Sequence, residues 1–296
     1  MNHQLNWIDL GHQKLAYRDS FDRCTGGDES RPAIVLIHGN SCSSYSYRNQ
    51  LEGELGQKYR LLAFDLPGHG ESDSMSVFED YSMAGYARVL NAALRQLVSR
   101  NPGLRFVLVG WSLGGHIALE MSLDCPALKG VMIFGTPPLG FPPDMENAFL
   151  PADEVGIGMK GEVTEEEARI YARSFFSPSY FGDSLLNSSE DNGRVLDEYA
   201  TLIMNTDPNA RLGLGQNLGP DTYHDEVEIV GNLPVPLAVF HGEDEKLVNL
   251  DYIRGLSMPA LWRGEVQVIK GAGHAPQIES TAVFDSLLGE FVEGVS

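Results

Sequence analysis

The feature that most limits how this chain can fold is a recurring alternation of short apolar runs and stretches with helical spacing. The runs occupy residues 33–37, 60–64, 106–110, 130–134, 237–240 and 266–269. Runs so short and so continuously apolar suit strands buried on both faces of a parallel sheet. Between them, residues 81–100, 113–123 and 281–292 carry apolar side chains three and four positions apart, the spacing of helices packed on one face. Strand, helix, strand, helix is the order of a mostly parallel, doubly wound α/β sheet. Such sheets bind ligands beyond the carboxyl ends of their strands. Two shorter alternating segments, 5–10 and 14–18, open the chain, and a polar stretch at 20–31 reads as a loop.

The alternation fails once. Residues 140–228 hold no convincing buried strand. Thr164-Glu165-Glu166-Glu167 looks like a helix start, with acidic residues favoured by the helix dipole. Helical patterns continue through Phe176, Leu185 and Leu186, and residues 196–204. The sequence therefore predicts an α/β core from residues 1–139 and 229–296, with a helical lid at 140–228 inserted over the strand ends.

Composition narrows the partners. The formal charge is -20. Such a surface repels nucleic-acid phosphates and anionic lipid headgroups and leaves a neutral small molecule as the natural ligand. The cysteines, Cys24, Cys42 and Cys125, are odd in number and match no metal or redox spacing. The N-terminal MNHQLNWIDLG has no basic segment followed by an apolar one, and no run approaches the roughly 18 apolar residues that span a bilayer. These features point to a reducing cytoplasm, no membrane and no bound cofactor or metal.

The chemistry begins at GWSLGG, residues 110–115. This segment follows a predicted buried strand and precedes a predicted helix, the context of a nucleophile elbow. There Ser112 would turn sharply with positive φ, and the glycines would let backbone approach it closely. The helix N-terminus just beyond favours negative charge beside the nucleophile. A serine hydroxyl needs a base, and the base needs a carboxylate to orient it. Of the eight histidines, His224, His241 and His274 lie well downstream. His274 occupies a glycine-rich loop after the last predicted strand and is the candidate base. His224 falls in the insertion as a surface residue, and His241 ends a strand where it can hold the next loop. The acid lies in His241-Gly242-Glu243-Asp244-Glu245, ahead of the pair Leu247-Val248. Counting from Gly242 favours Glu245, with Asp244 as the alternative. A tetrahedral intermediate needs two N–H donors. The candidates are Leu113, after the nucleophile, and Asn40, in the loop after the run at 33–37.

With these residues in place, the chain resembles the α/β-hydrolase superfamily from about residue 5 to 293, including the loop DLPGHGES at 65–72. HGNSCSS (38–44), QLEGELGQKYRLLAFDLPGHGES (50–72), YSMAGYA (81–87), GWSLGGHIALEM (110–121) and FGTPP (134–138) are similar to the N-acyl-homoserine lactone lactonases of α/β-hydrolase type. The resemblance implies a metal-independent quorum-quenching hydrolase with Ser112 as nucleophile, Glu245 as acid, His274 as base and Asn40 at the oxyanion site. It also implies Tyr171, in the lid, against the substrate, and Trp111 is a further candidate for substrate contact. The H-x-H-x-D-H cluster of zinc lactonases does not occur. Carboxylesterases that carry GWSLGG need the same triad, so an esterase remains the alternative, and a ligand receptor on a hydrolase scaffold is a more distant one. Epoxide hydrolases and dehalogenases of this fold use an aspartate where Ser112 stands.

Overall fold

The computed structural model describes residues 5–21, 31–181, 190–219 and 221–296. Cys24, most of the predicted loop at 20–31, and the helical pattern at Leu185 and Leu186 lie outside the described residues. Eight strands form one sheet: β1 (Leu5–Asp9), β2 (Lys14–Asp19), β3 (Ala33–Ile37), β4 (Leu61–Phe64), β5 (Phe106–Trp111), β6 (Leu128–Phe134), β7 (Leu237–Gly242) and β8 (Gln267–Ile269). Their spatial order is β1-β2-β4-β3-β5-β6-β7-β8. The contacts of β2 with β1 and β4 are antiparallel, and β3 to β8 run parallel. Every residue of β3, β4 and β5 is buried, which explains their unbroken apolar runs.

This order creates the site. After β3 the chain places β4 on one side and then crosses back to place β5 on the other. The loops leaving β3 and β5 therefore emerge side by side, with Ile37 in register with Gly110. Such a reversal opens a crevice at the carboxyl ends of the strands. Helix Met83–Arg100 starts at an N-cap where Ser82 accepts from the Gly85 N–H, and it packs on helix Leu113–Ser122. The closing helix, Thr281–Gly294, buries Phe284 against Phe134 and Phe240, with ring centroids 5.0 and 5.9 Å apart.

Among the described residues, the excursion between β6 and β7 is helical. The predicted start at Thr164 is the N-cap of helix Glu165–Ser174. The Thr164 hydroxyl accepts from the Glu167 N–H, and the Glu167 carboxylate accepts from the Thr164 N–H. Residues 196–204 fall within helix Glu190–Asn205. Helix Pro208–Gln216 has no counterpart among the helical patterns read from the sequence. It carries the buried Arg211, whose guanidinium donates to the carbonyls of Ile203, Thr206 and Lys160 and so ties the end of one helix to the loop before another. The predicted boundary at 228 falls inside helix Glu226–Asn232, whose first residue is fully buried against the core. Among the described residues, no helix is long and apolar enough to cross a membrane.

Candidate active site

The GWSLGG segment forms a strained corner. Ser112 has φ 54° and ψ -121°, and its peptide N–H is held by the Phe134 carbonyl at 2.9 Å. A non-glycine residue in that region costs about 1–3 kcal/mol, which surrounding structure must offset. Thr136 contributes by donating its hydroxyl to the Ser112 carbonyl at 2.8 Å. Glycine at 110 is obligatory, because a Cβ there would lie 2.1 Å from the Gly114 carbonyl oxygen. The strained residue leads directly into helix Leu113–Ser122.

His274 stands in the loop between β8 and the closing helices, and its Nδ1–H donates to Glu245 Oε2 at 2.7 Å. Glu245 Oε1 accepts from the Lys246 and Leu247 N–H groups at 2.9 and 2.8 Å. Burial opposes ionisation of this carboxyl. The adjacent His274 ring, its hydrogen bond and the Leu247 N–H outweigh burial and hold the group below the usual carboxylate range. The alternative acid, Asp244, is tied by its backbone N–H to the Ala272 carbonyl, and the bond to His274 comes from Glu245.

Ser112, Leu113 and His274 border one cavity with Asn40 and Tyr171. It holds about 710 Å³ of empty space, part of it continuous with solvent. Met145, Phe149, Val155 and Met159 from the insertion and Met83 and Leu247 from the core make most of the wall apolar. No Asp, Glu, Lys or Arg side chain lines it among the described residues. The backbone N–H groups of Asn40 and Leu113 have no protein partner among the described residues, which leaves both as donors. The Asn40 side chain is engaged: its amide donates to the Gly158 carbonyl at 2.6 Å and reaches the Tyr171 hydroxyl at 3.4 Å. Burial raises the Tyr171 hydroxyl well above its ordinary pKa, so it faces the cavity as a neutral phenol.

Trp111 is not among the residues that line this cavity. It is 1% exposed and lies behind the cavity wall, packed on Phe134, Phe175, Tyr199 and the His274 ring. Its indole N–H donates to the His274 carbonyl at 2.7 Å, so it holds the histidine loop and does not face the cavity. His241 is buried with no partner for Nδ1, so the expected hold on the next loop does not run through that atom. His224 is exposed, as expected, yet its Nδ1 bonds the buried Glu120 at 2.8 Å.

Sequence reasoning missed three participants. Gly135 has φ 59°, and a Cβ there would sit 2.7 Å from His274 Cε1. Glu279 accepts from the Gly273 N–H at 2.8 Å and the Ser177 N–H at 2.7 Å, joining the histidine loop to the insertion. His116 lines the cavity and is bonded to the buried Glu226. The FGTPP segment carried the only signal for any of these, a glycine directly after a buried strand.

Comparisons with known proteins bear on the family and the fold. The model of the alpha/beta hydrolase family matches residues 34–286. A mutant of the N-acyl homoserine lactonase AidH, solved with N-hexanoyl homoserine lactone, is 31% identical, with a TM-score of 0.84 over 99% of this chain and 98% of that one. A pimeloyl-[acyl-carrier protein] methyl ester esterase of Nitrosomonas europaea is 25% identical over 266 residues, 86% of this chain and 95% of the relative. An uncharacterized protein of Mycobacterium tuberculosis is 39% identical over 117 residues, 40% of this chain, and the match spans only 31% of that relative's length.

Proposed function

We propose that this chain, which belongs to the alpha/beta hydrolase family, is a serine hydrolase that opens the lactone ring of N-acyl-homoserine lactones. The observation that carries this reading is the Glu245–His274 hydrogen bond at the edge of an uncharged cavity that Ser112 also borders. An uncharged, largely apolar wall suits a neutral ring with an acyl tail. The full-length likeness to AidH supports the lactone over other esters.

His274 takes the Ser112 hydroxyl proton as Oγ attacks the lactone carbonyl. The N–H groups of Leu113 and Asn40 receive the oxyanion. Collapse breaks the ring C–O bond, and His274 returns the proton to the departing oxygen. That oxygen becomes a hydroxyl still tethered to the acyl-enzyme. Water, deprotonated by His274, then attacks the acyl carbon and releases Ser112 and an N-acyl-homoserine carboxylate. Residues 140–228 act as a lid, with Tyr171 against the substrate and the acyl tail beneath the apolar side chains of the insertion. The chain acts on a small molecule, without metal or cofactor, in the cytoplasm.

The test is incubation with short- and long-chain N-acyl-homoserine lactones and a p-nitrophenyl ester, using wild type and Ser112→Ala. Mass spectrometry follows the gain of one water, reversed by acid. Ring opening that depends on Ser112 is the expected result. Ester cleavage without ring opening would move the chain to the second reading, a carboxylesterase, which the likeness to the Nitrosomonas europaea esterase favours.

A further inference from the structure

The cavity has a second histidine–carboxylate pair. His116 lies one helical turn beyond Ser112, its N–H directed to the Ser112 carbonyl at 3.4 Å. Its Nδ1 meets both Glu226 oxygens, at 2.8 and 3.0 Å. Glu226 is fully buried and also accepts from the Leu139 N–H at 2.7 Å. A carboxylate only accepts, so it fixes the ring proton on Nδ1. In the neutral ring Nε2 is then a bare acceptor. Nε2 has no protein partner among the described residues, it is not among the sealed polar atoms, and the ring borders the cavity.

This pair is separate from Glu245–His274 and performs no step of the reaction above. An acceptor fixed in an apolar wall calls for a donor on the ligand. An N-acyl-homoserine lactone with an unsubstituted acyl chain has one donor, the amide N–H, on the carbon next to the reacting carbonyl. We infer that His116 Nε2 accepts this amide N–H and makes the site selective for esters and lactones bearing an N-acylamino group at the α-carbon, with Glu226 as the positioning residue that sets the tautomer. The substrate class rests on the proposed function. The selection of an α-amide N–H extends equally to open-chain esters.

The test uses matched pairs in which CH₂ replaces the amide N–H: N-hexanoyl-homoserine lactone with its carbon analogue, and N-hexanoylglycine methyl ester with its own. One uncharged hydrogen bond is worth about tenfold in kcat/KM. Wild type should prefer the N–H member of each pair by about that factor. His116→Leu should bring the ratio close to one. His116→Gln, whose Oε1 can reach the region of Nε2, should retain part of it. Glu226→Leu should also weaken the preference, because the carboxylate that fixes the ring proton on Nδ1 is then gone. Parallel losses on both members, with the ratio unchanged, would make the pair purely structural and overturn the inference, as would a wild type with no preference. Lactones left intact while the ester pair still discriminates would refute the lactonase and leave the inference standing. The same ratios read as Kd on Ser112→Ala decide the matter without turnover, and equal Kd values within each pair overturn it.

Discussion

Glu245→Gln changes one atom and should remove nearly all activity, for a reason readable in the hydrogen bonds. Glu245 Oε1 accepts two backbone N–H groups, and Oε2 accepts the His274 Nδ1–H. In the glutamine, the amide oxygen must keep the two backbone donors. Turning the NH₂ toward them would lose both bonds and leave the donors unpaired, at about 2–4 kcal/mol. The NH₂ therefore faces Nδ1, which has to accept. The ring proton moves to Nε2, and His274 can no longer take the Ser112 proton. Reaction through the minority amide orientation is slowed roughly 30- to 1000-fold. Losing the carboxylate that stabilises the imidazolium slows it further, so the expected fall in kcat is about 10⁴, the size seen when a Ser-His-Asp protease receives the same kind of substitution. The assay is initial-rate hydrolysis of a p-nitrophenyl ester, with Tm measured to show that the fold survives. Asp244→Asn, the control, should stay within about threefold of wild type on the same rule. A Glu245→Gln enzyme within tenfold of wild type, with Tm intact, would refute the reasoning.

Gly135→Ala puts a methyl group against His274 at a residue of positive φ, so kcat should fall at least about 100-fold while the chain stays folded by circular dichroism; unchanged kcat would mean that the ring has room to move. Burial pushes the Asp285 carboxyl up to about 6, against the opposing hydrogen bond from Gln50. Its folded pKa exceeds its unfolded one, so the charged form costs stability as pH rises through the interval between about 4 and 6. Asp285→Asn should raise stability by up to about 2 kcal/mol at pH 7 in urea unfolding, with no gain below pH 4. Burial lowers His38 to about 4 and His69 to about 3, so on acidification the unfolded chain binds these protons first. Each should remove about 1.4 kcal/mol per pH unit between about 6.5 and its folded value, about 4 for His38 and about 3 for His69, and a His69→Phe variant with the full wild-type slope in urea unfolding would rule out its share.

What the sequence disclosed is what a short segment encodes by itself. The strand at Ala33–Ile37 is legible because burial on both faces forbids polar residues. The helix start at Thr164 is legible because capping joins residues three apart. The corner at Ser112 could be placed because a strand, glycines and a helix surround it within a few residues. Helix Pro208–Gln216 escaped because the insertion holds it in place: Arg211 bonds carbonyls that precede it in the chain, and Gly213 packs closely on Tyr81. The pairs His116–Glu226 and Glu279–Ser177 join positions about a hundred residues apart, and spacing along one sequence has no term for such contacts.

Trp111 shows most directly where reading along the chain misleads. It stands next to Ser112 in the sequence and is a candidate for substrate contact. Yet residue 111 is the last of a strand, where successive side chains point to opposite faces, and residue 112 begins a turn with a different backbone conformation. Adjacent positions at such a junction do not share a direction. The indole is directed into the aromatic cluster with Phe175 and Tyr199, both from the insertion. There its N–H anchors the carbonyl of His274, from a loop 163 residues further on. The residue acts from behind the cavity: it couples the strand that ends just before Ser112 to the loop that carries His274, so the separation of these two residues is set by a packed indole as well as by the backbone.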